Sequence, residues 1–168
     1  MLLPKHGPWY LAGSSHPQAL ALVDGSGEFA GHGPHYSRRT PGSRTFTGVG
    51  KEVVLLHETG RAVWAVVLAR TPAPRGGKAS SAQRFLWRNN VFRNLGAGLS
   101  SELIRSAVDA TRHFWAAKYG ELPELRMRTE IGIKSVKSSN PGYCYLMAGW
   151  SKGRTVRGKL YLHEPEPE

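Results

Sequence analysis

The 168-residue chain contains one cysteine, Cys144. No internal disulfide can form, so a reducing compartment is expected. No apolar run approaches ~18 residues, and no membrane-spanning helix is expected. The opening residues, MLLPKHGPWYLAG, lack the charged-then-apolar layout of a secretory leader. A cytoplasmic setting follows as the expectation. Internal repeats are absent. Low-complexity sequence is confined to TPAPRGGKASSA (71–82) and the acidic tail EPEPE (164–168). These leave one domain, 1–163, with 164–168 as a tail.

Acidic residues are scarce: 12 Asp plus Glu face 23 Lys plus Arg, a net charge of +11. The imbalance is uneven. Between Arg126 and Lys159 eight basic residues accompany one acid, Glu130, and between Arg38 and Arg93 eleven accompany two, Glu52 and Glu58. Such a field favours polyanions, with nucleic acid first and an anionic cofactor second.

The apolar pattern changes period along the chain. HPQALALVDGSG allows a short helix after Ser15 that stops at Gly25. GEFAGHGPHYSRRTPG is loop-like. EVVLL and RAVWAVVLA are β-branched and apolar around a turn at Glu58-Thr59-Gly60, which predicts a hairpin of well-buried strands. RFLWRNNVFR (84–93) predicts a third strand. Leu99, Leu103, Ala107, Ala110 and Phe114 then recur at helical steps, a helix of about five turns ending near Tyr119-Gly120. ELRMRTEIGI (124–133) returns to strand. NPGYCYLMAG allows a short helix with Ser139 or Asn140 as N-cap and Pro141 in its first turn. KLYLHE closes with a strand. The order predicts an α/β fold: a mixed central sheet flanked by helices, in a single domain.

Two glycine motifs stand at the strand–helix junctions. The first is Arg93-Asn94-Leu95-Gly96-Ala97-Gly98, an R-x-x-G-x-G loop feeding a helix N-terminus. Its glycines allow close backbone approach, and free helix N–H groups attract anions. A plain strand-to-helix turn would carry the same pattern. The second is Asn140-x-Gly142-x-x-Tyr145-x-x-x-Gly149-Trp150. The pair resembles the GNAT acyltransferase family over residues 45 to 163. The resemblance implies a GNAT-like fold and acetyl-CoA as cofactor. It places the pyrophosphate on Arg93, Asn94, Leu95, Gly96, Ala97 and Gly98. Asn140 and the helix bearing Tyr145 would flank the pantetheine arm, with the Tyr145 hydroxyl by the thiol. A core-edge tyrosine with a satisfied hydroxyl is the alternative for Tyr145.

GHGPHYSRRTPG (31–42) resembles the HYS/HYLRR segment of Mom-like phage DNA-modification proteins. That resemblance implies carbamoylmethylation of the exocyclic amine of adenine in double-stranded DNA, as protection from restriction, in a host bacterial cytoplasm. It also implies iron, held by His35, Tyr36 and an acid, here Glu130 where Asp is expected, with Tyr143 or Tyr145 as a last ligand. The catalytic set would be His35, Tyr36, Glu130 and Tyr145. His35-Tyr36 could instead be a packed loop pair or a substrate contact. His57, His113 and His163 lack partner spacing and are expected to be surface or strand residues. DNA contacts would come from Arg38, Arg39, Arg44, Arg75, Lys78, Lys134, Lys137, Lys152, Arg154 and Arg157. The base would have to be flipped, with Trp64, Trp87 or Tyr36 stacking on it; the alternative for the two tryptophans, Trp64 above all, is a place in the strand core. The alternative is a conventional N-acetyltransferase for a small amine, a protein lysine or aminoacyl-tRNA, with Glu130 as general base. A third class is a non-catalytic acyl-CoA or DNA-binding module.

Overall fold

The computed structural model describes residues 2–35, 40, 42–70, 85–133 and 140–166. Tyr36, Arg38, Arg39, Arg75, Lys78, Lys134, Lys137 and Ser139 therefore lie outside the described residues. The elements run β1 (Lys5–His6), β2 (Trp9–Ala12), α1 (Pro17–Asp24), β3 (Lys51–His57), β4 (Ala62–Arg70), β5 (Phe85–Asn94), α2 (Ser100–Tyr119), β6 (Arg128–Gly132), α3 (Tyr143–Met147), β7 (Ser151–Val156) and β8 (Lys159–His163). Eight strands form one sheet in the order β1-β2-β3-β4-β5-β6-β8-β7. Every pairing is antiparallel except β5 with β6. This is the mixed α/β sheet flanked by helices that the sequence predicts.

Strand alternation builds two apolar layers. On one face Val53, Leu55, Trp64 and Val66 pack with Ile104, Ala107, Phe114 and Trp115 of α2. On the other, Val54, Leu56, Val63 and Ala65 pack with Ala19, Leu22 and Val23 of α1. The long helix begins at the cap Leu99 and ends at Gly120, as its periodicity indicates.

Three strands go beyond the sequence expectation. β1 has only two residues, and β2, WYLA, is too short to show a period. β7, SKGRTV, is exposed at every position and carries no apolar alternation. It exists because it pairs with β8 through the Arg157-Gly158 turn, where both residues have positive φ. Glu164 is buried, bonded by its carboxylate to Arg112 and to the Met127 N–H.

Candidate active site between the parted strands

β5 and β6 pair only at Arg88↔Arg128 and Asn89↔Thr129. Beyond that point the parallel strands part. A cleft of about 990 Å³ opens there, lined by residues of β5, β6, α3 and the segment ending at His35. From Val91 onward the β6-facing edge of β5 has no strand partner, so its backbone N–H and C=O groups border the cleft.

β5 also carries a bulge. Ala65 of β4 faces Val91 and Val66 faces Asn89, so Asn90 is the extra residue. The side-chain parity confirms it. Trp87 packs in the α2 layer, whereas Val91, four residues on, packs in the α1 layer. Asn89 stabilises this irregularity. Its Nδ2 donates to Ala65 O and Val91 O, both at 2.9 Å. Its Oδ1 accepts the Tyr145 hydroxyl at 2.6 Å, and Thr129 Oγ1 donates to its backbone oxygen at 3.0 Å. Asn90 is different. Its Oδ1 is buried and has no hydrogen-bond partner. An orphaned buried acceptor of this kind costs about 1–3 kcal/mol.

Tyr145 thus sits at the apex of the cleft, buried, with its phenol pKa pushed far up by burial. It is a neutral donor. Its ring stacks edgewise with Trp150 at 5.0 Å between centroids and faces Trp64 at 6.5 Å. The offsets of the second motif follow from this packing. A Cβ on Gly142 would lie 2.6 Å from Leu162 Cδ1 and 3.0 Å from Ile131 Cδ1, so only glycine lets α3 seat on β6 and β8. Gly149, at φ 92°, turns the chain so that Trp150 enters the core. The helix is shorter than expected. Its cap is Gly142, with Asn140 and Pro141 in the preceding turn. Asn140 is exposed and is not on the cleft wall. Tyr143 is 56% exposed, so Tyr145 is the tyrosine of the cleft. Cys144 lines it too, but burial pushes its thiol pKa up and leaves it a protonated wall.

His35 reaches the cleft by a latch. Its backbone N–H donates to Val23 O at 2.8 Å. The loop folds back so tightly that a Cβ on Gly25 would meet Gly33 O at 2.1 Å. Arg93 fastens the same loop: Nη1 donates to Leu22 O at 2.8 Å and to Gly33 O at 2.7 Å, and Nη2 to His32 O at 3.2 Å. This guanidinium is committed to the loop carbonyls. Burial, with the Arg93 charge beside it, lowers the His35 pKa to about 4, so the imidazole is neutral at physiological pH.

The first glycine loop is held by Asn94. Its Oδ1 accepts the N–H groups of Gly96 and Ala97 at 3.2 and 2.8 Å, and its Nδ2 donates to Gly98 O and Ser100 Oγ. Two loop amides are therefore already satisfied. The first turn of α2 has no side-chain cap, so its N–H groups are the free donors there. Ser100 and Leu95 line the cleft, and Arg61 lies next to Gly96, where a Cβ would stand 2.9 Å from its Nε. This end fits an anion such as a pyrophosphate.

Glu130 lines the cleft and a smaller cavity of about 330 Å³ that His35 shares. Three cations surround it: Lys159 Nζ at 3.6 Å, Arg128 Nη2 at 3.5 Å and Arg88 Nη1 at 3.8 Å. That donor set does not fit a metal. Among the described residues no three His, Cys, Asp or Glu side chains converge, and Tyr36 lies outside them. A cation ringed by Arg88, Arg128 and Lys159 would be repelled rather than held.

The tryptophans are core strand residues and not base-stacking groups. Trp64 and Trp87 are fully buried, the first donating to Thr111 Oγ1 and the second beneath the Arg112 guanidinium. His57 is a buried strand residue bonded to Thr59, and His113 stacks on His6 at 4.1 Å. The Asn89-Asn90 pair escaped the sequence reading. Its signal was two adjacent asparagines, poor strand formers, in the middle of a strand.

No family model matches the sequence, and no curated protein does. A solved structure provisionally described as a GnaT-family acetyltransferase from Bordetella pertussis overlays 98% of this chain and 100% of its own, with 14% identity and a TM-score of 0.48. That overlap is too loose to carry a residue role or an activity across.

Proposed function

We propose that the chain is an acyl-CoA-dependent N-acyltransferase that modifies the exocyclic amine of adenine in DNA. The observation that carries the acyl-transfer reading is the cleft between β5 and β6. It joins an anion-binding helix end, an unpaired strand edge, a neutral histidine and a buried tyrosine. Acetyl-CoA, when bound, supplies a thioester carbonyl as electrophile. The first turn of α2 and Arg61 would hold its phosphates, and the free edge of β5 would pair with its amide-bearing arm.

The rest of the chemistry belongs to the protein. As the acceptor nitrogen forms its bond to the acyl carbon, an imidazole nitrogen of His35 takes the amine proton. The ring is neutral at every pH well above 4. The carbon–sulfur bond breaks, and the departing sulfur needs a proton. Tyr145 holds one, donated to Asn89 Oδ1, and can deliver it by turning its hydroxyl toward the cleft. Arg88 and Lys159, two of the cations around Glu130, face the same small cavity and suit an acceptor attached to phosphates. DNA as the acceptor rests on them and on the net charge of +11. The described donors do not fit iron, and no step passes through a metal.

Mass spectrometry of nucleosides from cells expressing the chain tests the acceptor. An acylated or carbamoylmethylated deoxyadenosine is expected. Unmodified DNA, with acetyl-CoA still bound in calorimetry, would transfer the reading to a conventional acetyltransferase for a small amine, a protein lysine or aminoacyl-tRNA. Absence of acetyl-CoA binding would remove both.

A further inference from the structure

Asn89 and Asn90 are adjacent and chemically identical, yet only one is accounted for. Asn89 uses both ends of its carboxamide within the sheet. Asn90 is the bulge residue, with no register partner on β4 or on β6. Among the described residues its Oδ1 has no hydrogen-bond partner, a condition it shares with the buried Trp87 Nε1 and Arg128 Nε. Asn90 nevertheless lines three cavities: the 990 Å³ cleft, the 330 Å³ cavity shared with His35 and Glu130, and a groove of about 680 Å³. The groove is walled by Phe46, Val49 and Phe85, with Arg70 and Arg88 also lining it. Phe46 belongs to the α1-side core, whereas Val49 is 97% exposed and Phe85 44% exposed, so only the last two are not consumed by the core.

A buried carbonyl oxygen left without a donor asks for a ligand that brings one. The cavity that Asn90 lines also contains His35, the histidine read above as the base for an amine. A primary amine supplies two N–H groups, one for each neighbour. The χ2 torsion of asparagine is broad, so the oxygen can swing toward a donor in the cavity.

We infer that the Asn90 carboxamide positions the acceptor amine, accepting one of its N–H groups while His35 faces the other, and that the groove of Phe46, Val49 and Phe85 takes the body of the acceptor. The inference rests on the acyltransferase reading. The acceptor class it selects is a primary amine on a flat, largely apolar body with an anionic substituent, the last for Arg70 and Arg88. Asn90 is a positioning residue here: it holds the nucleophile and exchanges no proton.

The test uses the full chain, its Asn90→Leu and Asn90→Asp variants, and two acceptor probes, an adenine-containing single-stranded oligonucleotide and hexylamine. Thiol release from acetyl-CoA is followed. Asn90→Leu is expected to raise the KM for the oligonucleotide at least about tenfold while the Kd for acetyl-CoA stays within about twofold. Asn90→Asp keeps an accepting oxygen and should recover most of the loss. Urea midpoints give an activity-independent readout. Asn90→Leu, which removes an orphaned polar atom at similar volume, should unfold at higher urea than the parent. An unchanged KM, a parallel loss of acetyl-CoA affinity, or a lower urea midpoint overturns the assignment. Turnover of hexylamine alone, with KM insensitive to Asn90, overturns the acceptor class. If the parent chain turns over neither probe, the acyltransferase reading fails, and the urea midpoints still decide whether Asn90 is held polar against stability.

Discussion

His35 owes its chemistry to where the loop places it. Burial and the Arg93 charge together lower its pKa to about 4 from an ordinary 6.5. In the unfolded chain the ring takes up a proton as pH falls below 6.5, while the folded chain resists until near 4. Folding therefore loses stability on acidification through that window and is unaffected above it. The full shift is worth about 3 kcal/mol. His57 and His163 have lowered values as well, so the parent chain weakens in acid for more than one reason. The His35→Gln variant isolates this residue. Between pH 7 and 4.5 its stability should fall about 2 kcal/mol less than that of the parent, measured by urea titration. An identical decline in both proteins would mean that the ring is not held neutral.

At the scale of elements, α3 and the bulged β5 depend on each other. The helix has five residues, too few to be stable alone. It is held by Gly142 against Leu162 and Ile131, and by the Tyr145 hydroxyl on Asn89. Gly142→Ala inserts a methyl group where Leu162 Cδ1 stands 2.6 Å away, at a φ of 79°. The expected cost is about 2–4 kcal/mol, combining overpacking with left-handed strain. Gly158→Ala is the control. It has a similar φ of 78° and open space around it, so only the backbone cost of about 1 kcal/mol should remain. Equal melting temperatures for the two variants would show that α3 is not seated as described.

At the scale of the molecule, charge is separated from the apolar layers. β7 is an edge strand, exposed throughout, and carries Lys152 and Arg154, with Arg157 in the turn to β8. No apolar burial would be disturbed by a polyanion lying along it. DNA affinity should fall steeply with salt, and replacing these three residues with serine should reduce the slope of log K against log salt by about 2–3. Anisotropy of a labelled duplex across a salt series measures it. A flat binding constant would favour a small-molecule acceptor.

Much of this architecture was legible along the chain. The β3–β4 hairpin, β5, the 20-residue α2 and its capping glycine follow from period, turn chemistry and local propensity, which need no distant partner. Gly142, Tyr145, Gly149 and Trp150 could be singled out by their offsets. What each of them touches could not be read, because Leu162, Asn89, Pro165 and Trp64 are remote in sequence. The edge strands β1, β2 and β7 were hidden for a related reason: short or polar strands exist only through a partner. The carbonyls of Leu22, His32 and Gly33 that Arg93 bonds could not be read either, being remote in sequence. The bulge at Asn90 was decided by pairing across two strands, and pairing is a property of the sheet. Sequence by itself determined the inner strands β3, β4, β5, β6 and β8, the long helix α2 and where the positive charge is concentrated. Tertiary structure decided which polar atoms were consumed by the scaffold and which, among the described residues, were left buried without a partner, Asn90 Oδ1 with Trp87 Nε1 and Arg128 Nε, because a hydrogen bond is counted only when both partners are in place.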